Sequence, residues 1–409
     1  MHSKRLRPLF RITLRHRSHN TDEKMITQII NGNIHTPSGW KKGGSVLFDN
    51  GIILEVRDNS RIEPSAHVID AQGMTVAPGG VDIHLHGGGG HDFLEVSEDA
   101  FQTVIDVHMR HGTTACLPTL ASTDFAHMTR AAEVCQHLMT QPNSPILGLH
   151  LEGPYLNLNK AGGQESEFIS PPNPEQYHQI TEQFQCIRRW DAAPELPGAL
   201  QFAKHVTSRG IVAAIAHTEA DFPIIATARQ AGFSHVTHFY NAMTVTHNRN
   251  AFKHEGTVES IFLFDDMTVE VIADGIHVPP ALLKLIHKIK GPERTALVTD
   301  ALACTDSNNS RAYDPRVIIE NGVGMLADHS ALAGSVATMD RLIKTMVKQA
   351  EIPLFDTLTM AALTPATIIG ADNRKGSLQP GKDADIILLD SEINLRAVFA
   401  MGRAILPLS

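Results

Sequence analysis

The sequence predicts an α/β protein, a (β/α)8 barrel that carries a small β-sandwich domain assembled from both chain ends. Three observations lead there. Eight short apolar or β-branched stretches alternate with amphipathic segments through the middle of the chain. Strand-and-turn patterning without helices is confined to the two termini. Several of the eight stretches end in His, Glu or Asp, and a barrel gathers the carboxyl ends of its strands at one mouth.

Taken in order, Met1 to Asn20 is rich in Arg, Lys and His and contains no acid. It lacks the apolar stretch of a signal peptide. Residues 1–24 read as a disordered basic tail, or as sequence upstream of a start at Met25, with an organelle-targeting peptide as the alternative. Residues 25–77 read as strands. Ile26–Asn33 carries a hairpin-like signal, and Ser45–Val56 carries another with its turn at Asn50-Gly51. The tail returns to this style at Ala384–Asp390 and Leu395–Arg403. Neither end is long enough to bury a core alone, so 25–77 and 376–409 are expected to pair into one domain.

Between them, 78–375 is expected to be the barrel. Its strands are Val81–Gly87, Thr114–Leu120, Ile146–Gly153, Ile187–Glu195, Ile211–Thr218, His235–Tyr240, Val269–Asp274 and Thr295–Ala301. Amphipathic segments such as Ala100–His111 and Phe222–Ala231 lie between them. A doubly wound open sheet is the alternative. It would call for a glycine-rich nucleotide turn after the first strand, and Gly87–Gly90 lacks that spacing.

Composition excludes several classes of function. The net charge of −9 argues against nucleic-acid binding, which needs a basic face. No run approaches the roughly 18 apolar residues of a membrane span. The four cysteines are scattered, without metal-finger or redox spacing, so a reducing, cytoplasmic compartment is expected.

The chemistry sits at the strand ends. The first strand ends in His84 and His86, which two-residue spacing puts on one face. The third ends in His150-Leu151-Glu152-Gly153-Pro154, the fifth in His217, the sixth in His238 and the eighth in Asp300. Each has an ordinary structural explanation on its own: a hydrogen-bonded histidine, a turn carboxylate, an Asp helix cap. Convergence of all six at one mouth would crowd ionisable groups without a counter-ion. A nitrogen-rich set of this kind suits zinc or iron(II) rather than calcium or magnesium.

The run Pro78-Gly-Gly-Val-Asp-Ile-His-Leu-His-Gly, with single histidines on two middle strands and an Asp on the last, resembles the amidohydrolase superfamily. His150-Leu-Glu-Gly-Pro-Tyr, Thr237-His-Phe-Tyr-Asn-Ala-Met and Ala273-Asp-Gly-Ile-His-Val resemble, within it, the N-acetylglucosamine-6-phosphate deacetylase family. Leu332-Ala-Gly-Ser-Val and the tail from Gly376 fit the same family. The resemblance implies that Glu152, His217 and His238 bind a principal divalent metal and that Asp300 is the catalytic acid/base. Gly163, Gln164, Asn241, Ala242, Arg249, Asp274, His277 and Leu332-Ala333-Gly334-Ser335 would contact a sugar phosphate. It also implies a homodimer in which Arg249 reaches the neighbouring active site. Retention of His84 and His86 leaves room for a second metal, with Glu152 and Asp300 beside it.

A metal-activated water would attack the acetyl carbonyl, and Asp300 would move its proton to the departing amine. One departure stands out: the family often has a histidine where this chain has Gln164, which cannot carry a proton. The second metal is expected to take over its polarising role. His91 and Asp92 are expected to be structural. The alternatives are an amidohydrolase acting on galactosamine 6-phosphate or on another N-acyl or cyclic amide, and a non-catalytic barrel that binds sugar phosphates.

Overall fold

The computed structural model describes residues 26–308 and 312–408, so the basic stretch 1–24 lies outside the described residues. The chain enters through β1 (Thr27–Thr36), β2 (Gly39–Asp49), β3 (Ile52–Arg57), β4 (His67–Asp70) and β5 (Thr75–Pro78). β6 (Gly80–Leu85) follows at once, then two short strands, β7 (Gly87–Gly88) and β8 (His91–Asp92). Alternation begins with α1 (Glu98–Arg110), β9 (Thr113–Leu120), α2 (Phe125–Met139), β10 (Leu149–Tyr155), α3 (Pro174–Gln183) and β11 (Ile187–Ala192). It continues with α4 (Ala199–Ser208), β12 (Val212–Ile215), α5 (Phe222–Ala231) and β13 (Phe233–Val236). A hairpin, β14 (His247–Arg249) and β15 (Phe252–His254), precedes α6 (Thr257–Phe262), β16 (Thr268–Ile272), α7 (Pro280–Lys290) and β17 (Thr295–Val298). The small sheet β18 (Val317–Glu320), β19 (Val323–Leu326) and β20 (Leu332–Ser335) leads to α8 (Met339–Lys348). The chain closes with β21 (Ile386–Leu389), β22 (Leu395–Ala400) and β23 (Arg403–Leu406).

All eight expected central strands form one parallel sheet, ordered β17-β16-β13-β12-β11-β10-β9-β6. Its two end strands meet just past their carboxyl ends, where Asp300 N–H donates to His84 O and His86 N–H donates to Ala301 O, both at 2.9 Å. Period-2 alternation divides the strands into two faces. Leu151, Trp190, Val269 and Leu297 join the helix residues Phe101, Phe202, Ile225, Leu283 and Leu342 in the main apolar core. The other face carries Asp82 and His84, His150 and Glu152, Arg189 and Asp191, and Glu270, all buried.

The chain ends build a second sheet, ordered β23-β22-β21-β5-β1-β2-β3, with β4 against β1. The turn Asn50-Gly51 has φ of 47° and 79°, as the tight hairpin between β2 and β3 requires. Two local expectations are corrected. Ile26–Asn33 is not a hairpin: β1 runs through it, because Asn31 at φ 56° makes an irregularity in the ladder instead of reversing the chain. Leu395–Arg403 breaks at Met401-Gly402 and pairs with itself as β22 and β23, an antiparallel return through two left-handed residues.

Where the two sheets meet, the buried Lys375 ammonium lies 2.7 Å from both Asp383 and Asp385. Lys375→Met leaves both carboxylates short of this cation. It is expected to cost about 3–5 kcal/mol of stability, as removal of one partner from a buried ion pair does. Urea unfolding that shows less than about 1 kcal/mol would contradict this.

Candidate metal centre

Strands β12, β13 and β17 each stop just before a candidate ligand, and the backbone there turns left-handed. His217 has φ 43°, His238 φ 27° and Asp300 φ 47°. Such values are uncommon for residues other than glycine and cluster where function over-determines the backbone. Here they swing three side chains off the strand ends toward one point.

Six side chains form two buried groups: Glu152, His217 and His238 in one, His84, His86 and Asp300 in the other. Glu152 belongs to both in space. Its Oε1 lies 3.1 Å from Nε2 of His217 and of His238, and its Oε2 lies 3.2 Å from His86 Nε2. Asp300 Oδ1 is 3.2 Å from His86 and 3.5 Å from His84.

The donor chemistry fits a divalent cation in each group. His217 Nδ1 meets the Lys160 carbonyl at 2.7 Å, and a carbonyl only accepts, so Nδ1 carries the proton. Neutral His217 therefore presents a bare Nε2 lone pair to a carboxylate oxygen. His84 repeats this, with Nδ1 at 2.6 Å from Glu270 and Nε2 at 3.2 Å from His86 Nε2. Acceptors facing acceptors at hydrogen-bond distance need either protons or a cation between them. A metal-ligating histidine whose other nitrogen is tied to a carbonyl or carboxylate is the usual arrangement.

Without a cation, protons fill that role. Burial disfavours charge on His86, yet Asp300 and Glu152 beside it push its pKa up to about 10. Burial favours neutral acids at Glu152 and Asp300, yet the neighbouring histidines hold Glu152 well below the usual carboxylate range and Asp300 below it. A cation must displace the His86 proton, so at pH below about 10 its affinity should rise with pH as that competition fades. Zinc binding near pH 7 is therefore expected to release protons. Calorimetry in two buffers of different ionisation enthalpy should give different heats, and identical heats would refute the competition.

Above the two groups opens a cavity of about 360 Å³. Gly163, Gln164, Asn241, Ala242, His277, Leu332, Ala333 and Gly334, all expected at a substrate site, line it. Two of its polar atoms, Asn241 Nδ2 and His277 Nε2, are buried without a partner. Asp274 stands behind His277, accepting from its Nδ1 at 2.8 Å. Ser335 is buried, and its hydroxyl donates to Thr299 O. Arg249 is on the exposed β14–β15 hairpin, outside the lining of this chain's own cavity. Gly163 passes so close to Ala333 that a Cβ there would stand 2.8 Å from the alanine methyl.

The orientation of the Gln164 amide is set by its partners. Oε1 accepts from Ser122 N–H at 2.6 Å, and Nε2 donates to Glu152 Oε2 at 2.7 Å. This residue thus braces Glu152. Asp92 caps the short turn Phe93–Glu95, and His91 pairs with Glu95 at 3.0 Å, a structural pairing at the rim.

Sequence reasoning missed the layer beneath. Arg189 donates to Asp191 at 3.1 Å and makes a short contact with Glu270, while Thr237 donates to Asp191 at 2.7 Å. His235 lies 3.2 Å from Glu270, and all of these side chains are fully buried. The available signal was charge inside strands otherwise apolar, in Ile187-Arg-Arg-Trp-Asp-Ala and Thr268-Val-Glu-Val-Ile.

A model of the amidohydrolase family matches residues 75–405, and the chain belongs to that family. Its curated relatives narrow the class. It is 31% identical over 380 residues to the N-acetylglucosamine-6-phosphate deacetylase of Danio rerio, covering 90% of this chain and 92% of the relative. With the Bacillus subtilis protein of the same name it is 29% identical over 371 residues, covering 88% and 92%. The Pasteurella multocida deacetylase structure superposes with a TM-score of 0.88 at 28% identity, covering 93% of this chain and 99% of that one. A mutant of the Mycobacterium smegmatis enzyme in complex with N-acetyl-D-glucosamine-6-phosphate gives 0.87 at 27%, covering 94% and 100%.

Proposed function

We propose that this protein hydrolyses the acetamido group of N-acetyl-D-glucosamine 6-phosphate to D-glucosamine 6-phosphate and acetate, in amino-sugar breakdown or recycling. The observation that carries the reading is Glu152, whose two oxygens serve two histidine groups at the floor of a cavity with unpartnered polar atoms. The names borne by relatives over nine-tenths of the chain support the substrate.

Glu152, His217 and His238 would hold one zinc or iron(II) ion, and His84, His86, Glu152 and Asp300 a second. A divalent cation there acidifies water and polarises a carbonyl. Asp300, kept ionised by its histidine neighbours, takes the proton from the attacking water. It then delivers that proton to the sugar nitrogen as the C–N bond breaks, because an amine leaves poorly unless protonated. Gln164 keeps Glu152 oriented, and His277, its ring fixed by Asp274, offers Nε2 to the sugar phosphate.

In this reading the eight parallel strands close into a barrel, supported by the hydrogen bonds between the ends of β6 and β17. Residues 78–375 are the catalytic unit, and 25–77 with 376–409 are a small β-domain. The protein works in the cytoplasm as a homodimer, with Arg249 binding phosphate in the partner's site. An equimolar mixture of Arg249→Ala and Asp300→Asn proteins is then expected to recover activity, since one site per mixed dimer receives both residues. A mixture no more active than its parts would end the dimer reading.

Acetate release should be measured from this substrate, from its galactosamine counterpart and from the unphosphorylated sugar, before and after chelation. The reading requires chelator-sensitive release that favours the phosphorylated glucosamine compound. A metal-loaded protein that releases no acetate from it would sink the proposal.

A further inference from the structure

Beneath the His84 group lies a carboxylate that the reaction itself does not use. Glu270 sits inside β16, fully buried, and its Oε1 accepts from three donors. These are His84 Nδ1 at 2.6 Å, the backbone N–H of His238 at 3.1 Å and Arg189 at 3.0 Å. Its Oε2 takes Arg189 again and lies 3.2 Å from His235. One atom of one side chain therefore touches a residue from each of the two candidate metal groups.

We infer that Glu270 is a positioning residue that fixes the His84 ring and makes the second metal group bind. Three physical effects converge on this role. The carboxylate can only accept, so it holds the His84 proton on Nδ1 and leaves the Nε2 lone pair free for a cation. A negative partner on Nδ1 also makes Nε2 a stronger electron donor. Finally, the Arg189 guanidinium lies between two carboxylates, Asp191 and Glu270, and its single positive charge balances one of them. The remaining negative charge, buried where water cannot reach it, is compensated by a cation on the far side of the His84 ring. Asp191 lies on the other side of Arg189 and no hydrogen bond joins it to His84, so it shares the guanidinium without fixing the ring.

This inference rests on the two-metal reading above, and the test separates the two. Full-length wild type, Glu270→Gln and Asp191→Asn would be loaded with cobalt(II) and dialysed. Metal per subunit would be read by mass spectrometry, site geometry by the visible cobalt spectrum, and affinity by chelator titration. Wild type is expected to keep two ions. Glu270→Gln should keep the ion at Glu152, His217 and His238 and bind the other about 10- to 100-fold more weakly. Asp191→Asn should keep both. If Glu270→Gln does not fold, the double variant Glu270→Gln with Arg189→Met removes the charges together and should show the same loss.

Equal chelator sensitivity of Glu270→Gln and wild type would overturn the inference. So would equal loss of the second ion in Asp191→Asn, or equal loss of both ions in Glu270→Gln. Wild type holding fewer than two ions would instead defeat the two-metal reading itself.

Discussion

Asp300→Asn is expected to lower kcat by about 10²- to 10⁴-fold, the range that a positioned acid/base contributes. The substitution suits the test for a backbone reason. Asp300 has φ 47°, a left-handed conformation that asparagine tolerates better than most residues, so the turn after β17 survives. The side-chain amide keeps an oxygen near His86 but cannot take a proton from water or return one to the amine. Metal content at Glu152, His217 and His238 should remain unchanged, because Asp300 belongs to the other group. Retention of more than about a tenth of wild-type kcat would remove Asp300 from the acid/base role.

Glu152→Gln should have the broadest effect of any single substitution. One carboxylate serves both groups, 3.1 Å from His217 and His238 through one oxygen and 3.2 Å from His86 through the other. Loss of its charge weakens both ions at once. Removing one partner from a buried charge pair costs about 3–5 kcal/mol, which is roughly 10²- to 10⁴-fold in metal affinity. Gln164 adds to the damage, because its amide donor would then face a group that can present another donor. The variant should purify with little metal and no measurable deacetylation, whereas His217→Asn should lose one ion selectively. A Glu152→Gln protein that keeps two ions through dialysis would refute the shared role.

Much of the fold was legible because it follows from local rules. Buried parallel strands are short apolar runs, and their order in this sheet is their order in the chain. The Asn50-Gly51 turn announces its hairpin. Asn31-Gly32 misled because the same residue types also serve a β-bulge, and only the partner strand distinguishes the two outcomes. Among site residues, those at strand ends stood out, since a polar residue closing an apolar run interrupts the pattern. Arg189, Asp191 and Glu270 did not, because a charge inside a strand looks locally like a solvent-facing position until the opposite wall is known. Gln164 could be seen as a departure from the family. Its bond to Glu152 could not be anticipated, because the two meet only across a turn.

By itself the sequence determined the inventory: which strands exist, which ends carry imidazoles and carboxylates, and that each alternating pair shares a face. Only the tertiary structure decided the grouping, with Glu152 between two histidine sets and Glu270 behind one of them. The reason is geometric. These contacts join residues 86 and 186 positions apart, His238 with Glu152 and Glu270 with His84. Their distances depend on the register between neighbouring strands, which backbone pairing and core packing set together.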